Sequence, residues 1–279
     1  MQTSLLVRRL SVVWFVMAVA VAVPASAQAE QTPQTESGTF EPQVGQAGKD
    51  VVWVPTPQEL VDKMLDMANL TPQDYVMDLG SGDGRTVITA AKRGATAKGI
   101  EFNPDMVELS RRNAAAEGVA DRATFERADL FETDLSKATV LTLFLLPDIN
   151  LKLRPTILDL PPGTRVVSNT FSMDNWEPDE TFRLTDCPSW CTALLWIVPA
   201  KVAGTWSLPQ GELTLTQTFQ MITGTLRSGS TNTPVNGKLN GSEITFAGGG
   251  TEYTGRVSGN TITGTSRPGG GWTATRTGQ

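Results

Sequence analysis

The chain of 279 residues contains no histidine. That absence removes Ser-His-Asp triads, imidazole general bases and histidine-ligated metals from consideration. Asp, Glu, Lys, Tyr, Cys and the backbone are left to carry chemistry. Cysteine is almost as scarce, with Cys187 and Cys191 standing in Cys-Pro-Ser-Trp-Cys. Two thiols with neither histidine nor a second cysteine pair make a poor zinc site, so no metal is expected. A basic excess is also missing. The formal net charge is -6 and the sequence pI about 4.9. No positive field is therefore available to hold a phosphate backbone, and nucleic acid is not an expected partner. The run Leu10 to Val23, broken by Ser11, is short for a bilayer span.

The setting of that run is informative. Arg8 and Arg9 precede it and Pro24-Ala25-Ser26-Ala27 follows it. These are the parts of a secretory signal peptide over residues 1–27, with Ala25-Ser26-Ala27 at the cleavage site. The protein is thus expected to be exported, periplasmic or secreted, with an uncleaved membrane anchor as the alternative. Cleavage would remove two arginines and no acid, taking the charge from -6 to -8. In an oxidising compartment Cys187 and Cys191 are expected to form a disulfide closing a tight turn, in preference to a redox-active pair. Residues 28–50, rich in Gln, Thr, Glu, Gly and Pro, read as a disordered leader.

Order is expected from Val51. Thr56 and Pro57 resemble a helix N-cap followed by proline at the first helical position. Leu60, Val61, Met64, Leu65 and Ala68 then follow at helical spacing. From Tyr75 strands and helices alternate. Strands are expected at 75–79, 96–101, 122–128, 139–146 and 165–171, and helices at 84–94, 104–117 and 148–159. That order predicts an α/β domain over 51–199, a Rossmann-like doubly wound sheet with helices on both faces. Apolar runs at 181–184 and 192–198 flank the two cysteines and predict an antiparallel edge hairpin. After Pro199 the composition turns to Gly and Thr. Gly237-Lys238-Leu239-Asn240-Gly241-Ser242-Glu243-Ile244-Thr245 recurs as Gly255-Arg256-Val257-Ser258-Gly259-Asn260-Thr261-Ile262-Thr263. Each copy is strand, turn, strand, so 201–279 is expected to be a small all-β barrel or sandwich.

The chemistry centres on Asp78-Leu79-Gly80-Ser81-Gly82-Asp83-Gly84-Arg85. A strand ending in an acid turns through glycines into a helix, and backbone without side chains lets a ligand approach closely. The dinucleotide fingerprint is G-x-G-x-x-G; here the glycines run G-x-G-x-G with an acid two residues ahead, a pattern that favours S-adenosylmethionine. Glu101, 17 residues past Gly84 and at the end of the second strand, suits a ribose diol; a solvated strand-end carboxylate is the plain alternative. Asn103 with Pro104 opens the next helix, either as cap or as ligand contact. Asp129, after the third strand, can accept from an adenine amino group while Leu130 or Phe131 packs on the ring. The fourth strand ends at Pro147-Asp148, on the sheet edge where reacting groups sit, though Asp148 also suits a helix cap.

Together, Val54-Pro55-Thr56-Pro57, the glycine loop, Gly99-Ile100-Glu101-Phe102-Asn103-Pro104, Asp129-Leu130-Phe131, Leu145-Leu146-Pro147 and Gly163-Thr164-Arg165-Val166-Val167-Ser168 resemble a known family. It is that of the seven-strand lysine N-methyltransferases related to the mitochondrial enzymes acting on the ATP synthase c-ring protein and the adenine nucleotide translocase. The resemblance covers about residues 51–199. It implies S-adenosylmethionine as methyl donor, a protein lysine as acceptor, and cofactor contacts from Asp78, Gly80, Ser81, Gly82, Gly84, Glu101, Asn103, Asp129 and Leu130. Pro55 and Thr56 would lie over the cofactor and substrate entrance. No catalytic group is singled out; the candidates lie near Pro147, Asn169 and Trp53, with Trp53 and Phe171 as apolar walls or core. The resemblance says nothing about 201–279. That tail reads as a structural domain, or as a module for cell-envelope association. An exported binding protein that keeps the fold without catalysis, or a methyltransferase acting on a small molecule, are the alternative functions.

Overall fold

Alternation of apolar strands with amphipathic helices builds the first domain. The structure is a computed structural model and describes residues 40–278. The expected signal peptide, and residues 28–39 of the expected leader, lie outside the described residues.

In chain order the first domain comprises α1 (Gln58–Met67), β1 (Tyr75–Leu79), α2 (Arg85–Lys92), β2 (Thr96–Glu101), α3 (Pro104–Ala116), β3 (Ala123–Arg127), β4 (Val140–Leu143), α4 (Pro147–Leu158), β5 (Arg165–Asn169), β6 (Glu180–Arg183) and β7 (Thr192–Ile197). The seven strands lie in the order β3-β2-β1-β4-β5-β7-β6. β1 to β5 are parallel to their neighbours, whereas β7 runs antiparallel to β5 and to β6. Order reverses beside β1, between β2 and β4, which is where an open α/β sheet forms a crevice at its strand ends. Leu60, Val61, Met64 and Leu65 of α1, with Val87 of α2 and Val107 of α3, fill the core on one face. Ile149, Leu153 and Ile157 of α4 fill the other with Trp176 and Trp196. Each fully buried aliphatic side chain of this kind contributes about 2 kcal/mol.

Two local expectations shift. Pro57, not Thr56, occupies the N-cap of α1, and no side chain caps that helix; Thr56 is taken by another partner, described below. The strand expected at 139–146 ends at Leu143, because Pro147 starts α4 and the three residues between cross the sheet edge.

The tail is a closed eight-stranded antiparallel barrel: β8 (Gly204–Leu208), β9 (Gly211–Thr218), β10 (Met221–Ser228), β11 (Thr231–Asn240), β12 (Glu243–Gly248), β13 (Thr251–Ser258), β14 (Thr261–Arg267) and β15 (Gly271–Gly278). β15 pairs with β8 to complete the ring. The two repeat copies are the β11–β12 and β13–β14 hairpins, with Gly241 and Gly259 at the same turn position. Trp206, Leu213, Ile244 and Ile262 are buried within it. The barrel is joined to the first domain by side chains. Phe219 stacks on Trp176 with centroids 5.7 Å apart, Gln220 Nε2 donates to the Glu177 carbonyl at 2.8 Å, and Lys201 pairs with Asp159.

Candidate active site

β1 carries Asp78 into the middle of the sheet, and β4 places Thr142 beside it in register. Thr142 Oγ1 donates to Asp78 Oδ1 at 2.6 Å. Burial pushes the Asp78 carboxyl up to about 7, against the pull of the Thr142 hydrogen bond, and the nearby charges of Asp83 and Glu101 add to the rise. Among the described residues no Lys or Arg forms an ion pair with Asp78 or Glu101, whereas Asp83 is paired with Arg85 at 2.6 Å.

The glycine loop follows directly. Gly80 and Gly82 have φ of 77° and 55°, a region that other residues resist. A Cβ on Gly82 would lie 2.6 Å from the Trp53 indole nitrogen, so Trp53 lies directly against the loop. The α3 helix fixes the loop from behind: Ser110 Oγ donates to the Gly82 carbonyl at 2.8 Å and Asn113 Nδ2 to that of Asp83 at 2.9 Å. Glu101 is oriented by two backbone donors, Gly82 N–H on Oε2 at 3.0 Å and Asn103 N–H on Oε1 at 2.9 Å. Each oxygen keeps a lone pair for a ligand hydroxyl. Asn103 caps α3 through Asp105 N–H, with Pro104 next to it.

Asp78, the loop, Glu101, Asn103 and Trp53 face one cavity of about 510 Å³, a size suited to a nucleoside-type ligand. Pro55, Thr56, Asp78, Gly80, Ser81, Gly82, Glu101, Asn103, Asp129, Leu130 and Trp53 all line it. Three other expected residues do not. Gly84 caps α2 with φ 83°, and a Cβ there would strike Phe125 and Ser110, so it serves helix packing beneath the loop. Pro147 is the first residue of α4. Asn169 is fully buried and spends its side chain on the protein, Nδ2 donating to Thr56 Oγ1 at 3.2 Å. Arg85 donates to the Thr56 carbonyl at 2.8 Å, so the Val54-Pro55-Thr56 arm is pinned from both sides.

Residues 43–53, the end of the expected disordered leader and the start of the domain, form a small hairpin along the cavity. Gly45 N–H donates to Trp53 O, Trp53 N–H to Gln46 O and Gly48 N–H to Val51 O. Its tip carries Lys49, which pairs with Asp129 and lies over the Phe102 ring. The hydrogen bond to Lys49 holds the Asp129 carboxyl below its ordinary range, and the Phe131 N–H adds to that. A leader of polar composition is thus held by one ion pair, by its own backbone bonds and by Gln46, whose Nε2 donates to Met106 Sδ at 3.6 Å and whose Oε1 accepts from Gln43 N–H at 2.9 Å, which composition does not register.

At the outer end of the cavity stand Phe144, Phe171 and Trp190. The sequence pointed to Phe171 only. Phe144 was inside an apolar run, and Trp190 lay between cysteines that drew attention to themselves. Thr142, Ser110 and Asn113 were likewise missed; the one signal was a threonine within the apolar Val-Leu-Thr-Leu of β4.

A family model described as the ANTKMT methyltransferase domain matches residues 78–180. A protein-lysine N-methyltransferase from Saccharolobus islandicus (strain REY15A) is 40% identical over 151 residues, which are 53% of this chain and 94% of that relative. The chain belongs to the ANTKMT methyltransferase domain family. As a family member it is an S-adenosylmethionine-dependent methyltransferase, and its cavity fits that cofactor: an unpaired buried carboxylate suits a cationic ligand, and Glu101 suits a diol. Another relative, the adenine nucleotide translocase lysine N-methyltransferase of Mus musculus, is 36% identical over 120 residues, 42% of this chain and 52% of that relative. This chain therefore spans about half the length of that methyltransferase. Among solved structures, an RNA methyltransferase from Salinibacter ruber in complex with S-adenosyl-L-homocysteine is 48% identical, covering 53% of this chain and 96% of that one at a TM-score of 0.51. The barrel, residues 204–278, lies outside the family-model match.

Proposed function

We propose that this methyltransferase acts on lysine side chains of a protein and does so outside the cytoplasm. One observation carries the assignment of the donor site: Asp78 is buried at the end of the central strand, beside a glycine loop and Glu101, with no cation among the described residues to pair with it. A sulfonium and an ammonium group supply that charge. Glu101 takes the ribose hydroxyls, Asp129 and Leu130 the adenine, and the Pro55–Thr56 arm closes over them. S-adenosylmethionine, when bound, presents an electrophilic methyl carbon. The chain's residues need only hold an uncharged amine in line with it, so that nitrogen donates its electron pair to carbon as the carbon–sulfur pair returns to sulfur. No strong base is required, and a chain without histidine can do this. The incoming ammonium gives its proton to solvent before that step, since only the neutral amine has an electron pair to donate.

A protein acceptor is supported by the names of the Saccharolobus and Mus relatives and by the acidic composition of the chain. Export is supported by the Arg8–Ala27 pattern and by the disulfide between Cys187 and Cys191. Calorimetric titration with S-adenosylmethionine, followed by transfer of labelled methyl to fractionated envelope extract, tests the activity. Methyl-lysine in the protein hydrolysate is the expected product. Label in RNA alone would overturn the acceptor assignment, and binding without any labelled product would favour a non-catalytic binding protein. N-terminal sequencing of the mature protein after cell fractionation tests export; a cytoplasmic chain beginning at Met1 would overturn it.

A further inference from the structure

The β6–β7 hairpin ends in a turn whose Leu184 and Cys191 belong to the core of the first domain, with Cys187 packed against it, whereas Trp190 lies outside that core. Arg183 pairs with Thr192 as the last register pair, and the residues between are closed by the Cys187–Cys191 disulfide. Within this ring Trp190 has φ 58°, in the left-handed region that a bulky aromatic residue seldom occupies. Its side chain is not hidden: 40% of it is exposed, and the ring faces Phe171 at 5.2 Å and Phe144 at 5.9 Å between centroids. Phe144 and Phe171 are themselves stacked at 5.9 Å. All three line the cavity that also contains Asp78 and the glycine loop. Phe144 comes from the β4–α4 crossing and Phe171 from the segment just after β5, each one or two residues beyond a strand of the sheet. Trp190 alone is brought there by a cross-linked turn.

Accepting the methyltransferase reading above, we propose that Trp190 is an acceptor-positioning residue: it forms the outer wall of the aromatic channel that receives the acceptor's amine-bearing side chain, and the disulfide holds it there. A strained aromatic residue kept at the mouth of a cavity fits such a role better than a core role. Three ring faces around one opening attract an alkylammonium through their quadrupoles, and shield its aliphatic stem from water. The acceptor class is accordingly an unbranched primary amine on a flexible apolar stem, and the enzyme binds it well only after the turn is oxidised.

The test uses the full chain loaded with S-adenosyl-L-homocysteine, titrated with a short lysine-containing peptide, in parallel with S-adenosylmethionine titration of the unloaded protein. Trp190→Ala is expected to weaken peptide binding about fivefold, the scale of one lost cation–π contact, with cofactor affinity unchanged. Trp190→Phe should restore most of the loss. The Cys187→Ser/Cys191→Ser variant and reduced wild-type protein should match Trp190→Ala, and reductant should do nothing further to the double variant. In turnover assays the same changes should raise KM for the acceptor and leave kcat nearly constant. Peptide binding indifferent to Trp190→Ala, or a parallel loss of cofactor affinity, would overturn the proposal. Failure of the unaltered protein to bind S-adenosylmethionine would instead overturn the methyltransferase reading itself.

Discussion

Asn169 at the end of β5 donates to Thr56 Oγ1, a buried bond that joins residues 113 positions apart behind the cavity wall. With the Arg85 bond to the Thr56 carbonyl, it sets where the Val-Pro-Thr arm lies, since Pro55 has no N–H to anchor it. Asn169→Ala is expected to cost about 1–3 kcal/mol in unfolding free energy, the usual result of breaking a buried polar pair. It should also weaken cofactor binding several-fold by loosening the arm. A double-mutant cycle with Thr56→Ala checks the assignment: the two losses should couple by about 1 kcal/mol, and strict additivity would argue against it.

The Asp78 carboxyl sits near pH 7 in the free protein. A cationic ligand favours its ionised form, so binding should release a proton below that pH. Affinity for S-adenosylmethionine should therefore be level above about pH 7.5 and fall toward tenfold per unit as pH drops below 7. Calorimetry in buffers of different ionisation enthalpy reads the proton count directly. Stability runs the other way. A folded-state pKa raised above the unfolded value gives stability that is present below about pH 4 and lost as pH rises through 7. Asp78→Asn should thus raise the thermal midpoint of the free protein at about pH 8 while abolishing cofactor binding.

Lys49 bridges from the hairpin tip to Asp129 on the far rim. The pair is solvent-exposed, so Lys49→Ala should leave the unfolding free energy close to that of the unaltered protein. Its effect should be kinetic. With the hairpin released, both association and dissociation of S-adenosylmethionine are expected to accelerate in stopped-flow fluorescence, and added salt should mimic the substitution in the unaltered protein. Rates insensitive to both would show that the hairpin does not gate the cavity.

Phe219 joins the barrel to the first domain by stacking on Trp176, and the Arg154 guanidinium lies over its ring at 5.3 Å. The unaltered chain should unfold in one calorimetric transition. Phe219→Ala removes the stack and about 3 kcal/mol or less of coupling, since the ring is only half-buried. Two separated transitions are the expected outcome, and cofactor affinity should not move.

Period and punctuation made most of the first domain readable. The strands of Tyr75–Leu79 and Thr96–Glu101 and the helix from Pro104 were legible because proline, glycine and capping residues stand at their ends. The tail's repeat announced its hairpins for the same reason, though it could not distinguish a barrel from a sandwich, which depends on whether β15 reaches β8. The inner lining of the cavity, from the glycine loop, Glu101, Asn103 and Asp129, was legible since it is built from contiguous motifs. The aromatic outer end was not. Phe144, Phe171 and Trp190 come from three separate segments, and only the sheet order that sets β7 beside β5 brings them to one place. Thr56 was misread for a related reason, as local rules favoured a cap while a distant asparagine claimed its hydroxyl.

Closure of the barrel also bears on how the chain behaves among its own kind. Pairing of β15 with β8 leaves no unpaired strand among the described residues of the tail, so the Thr-rich segment, which as separate hairpins would invite strand-to-strand polymerisation, offers no template. The free strand edges among the described residues belong to β3 and β6 of the seven-stranded sheet. β3 is five residues long and ends in Glu126 and Arg127; β6 is four long and bounded by Glu180 and Arg183. Short, charged edges discourage strand addition, so concentrated protein should stay free of fibrils even though eight of the fifteen strands described lie in one small tail.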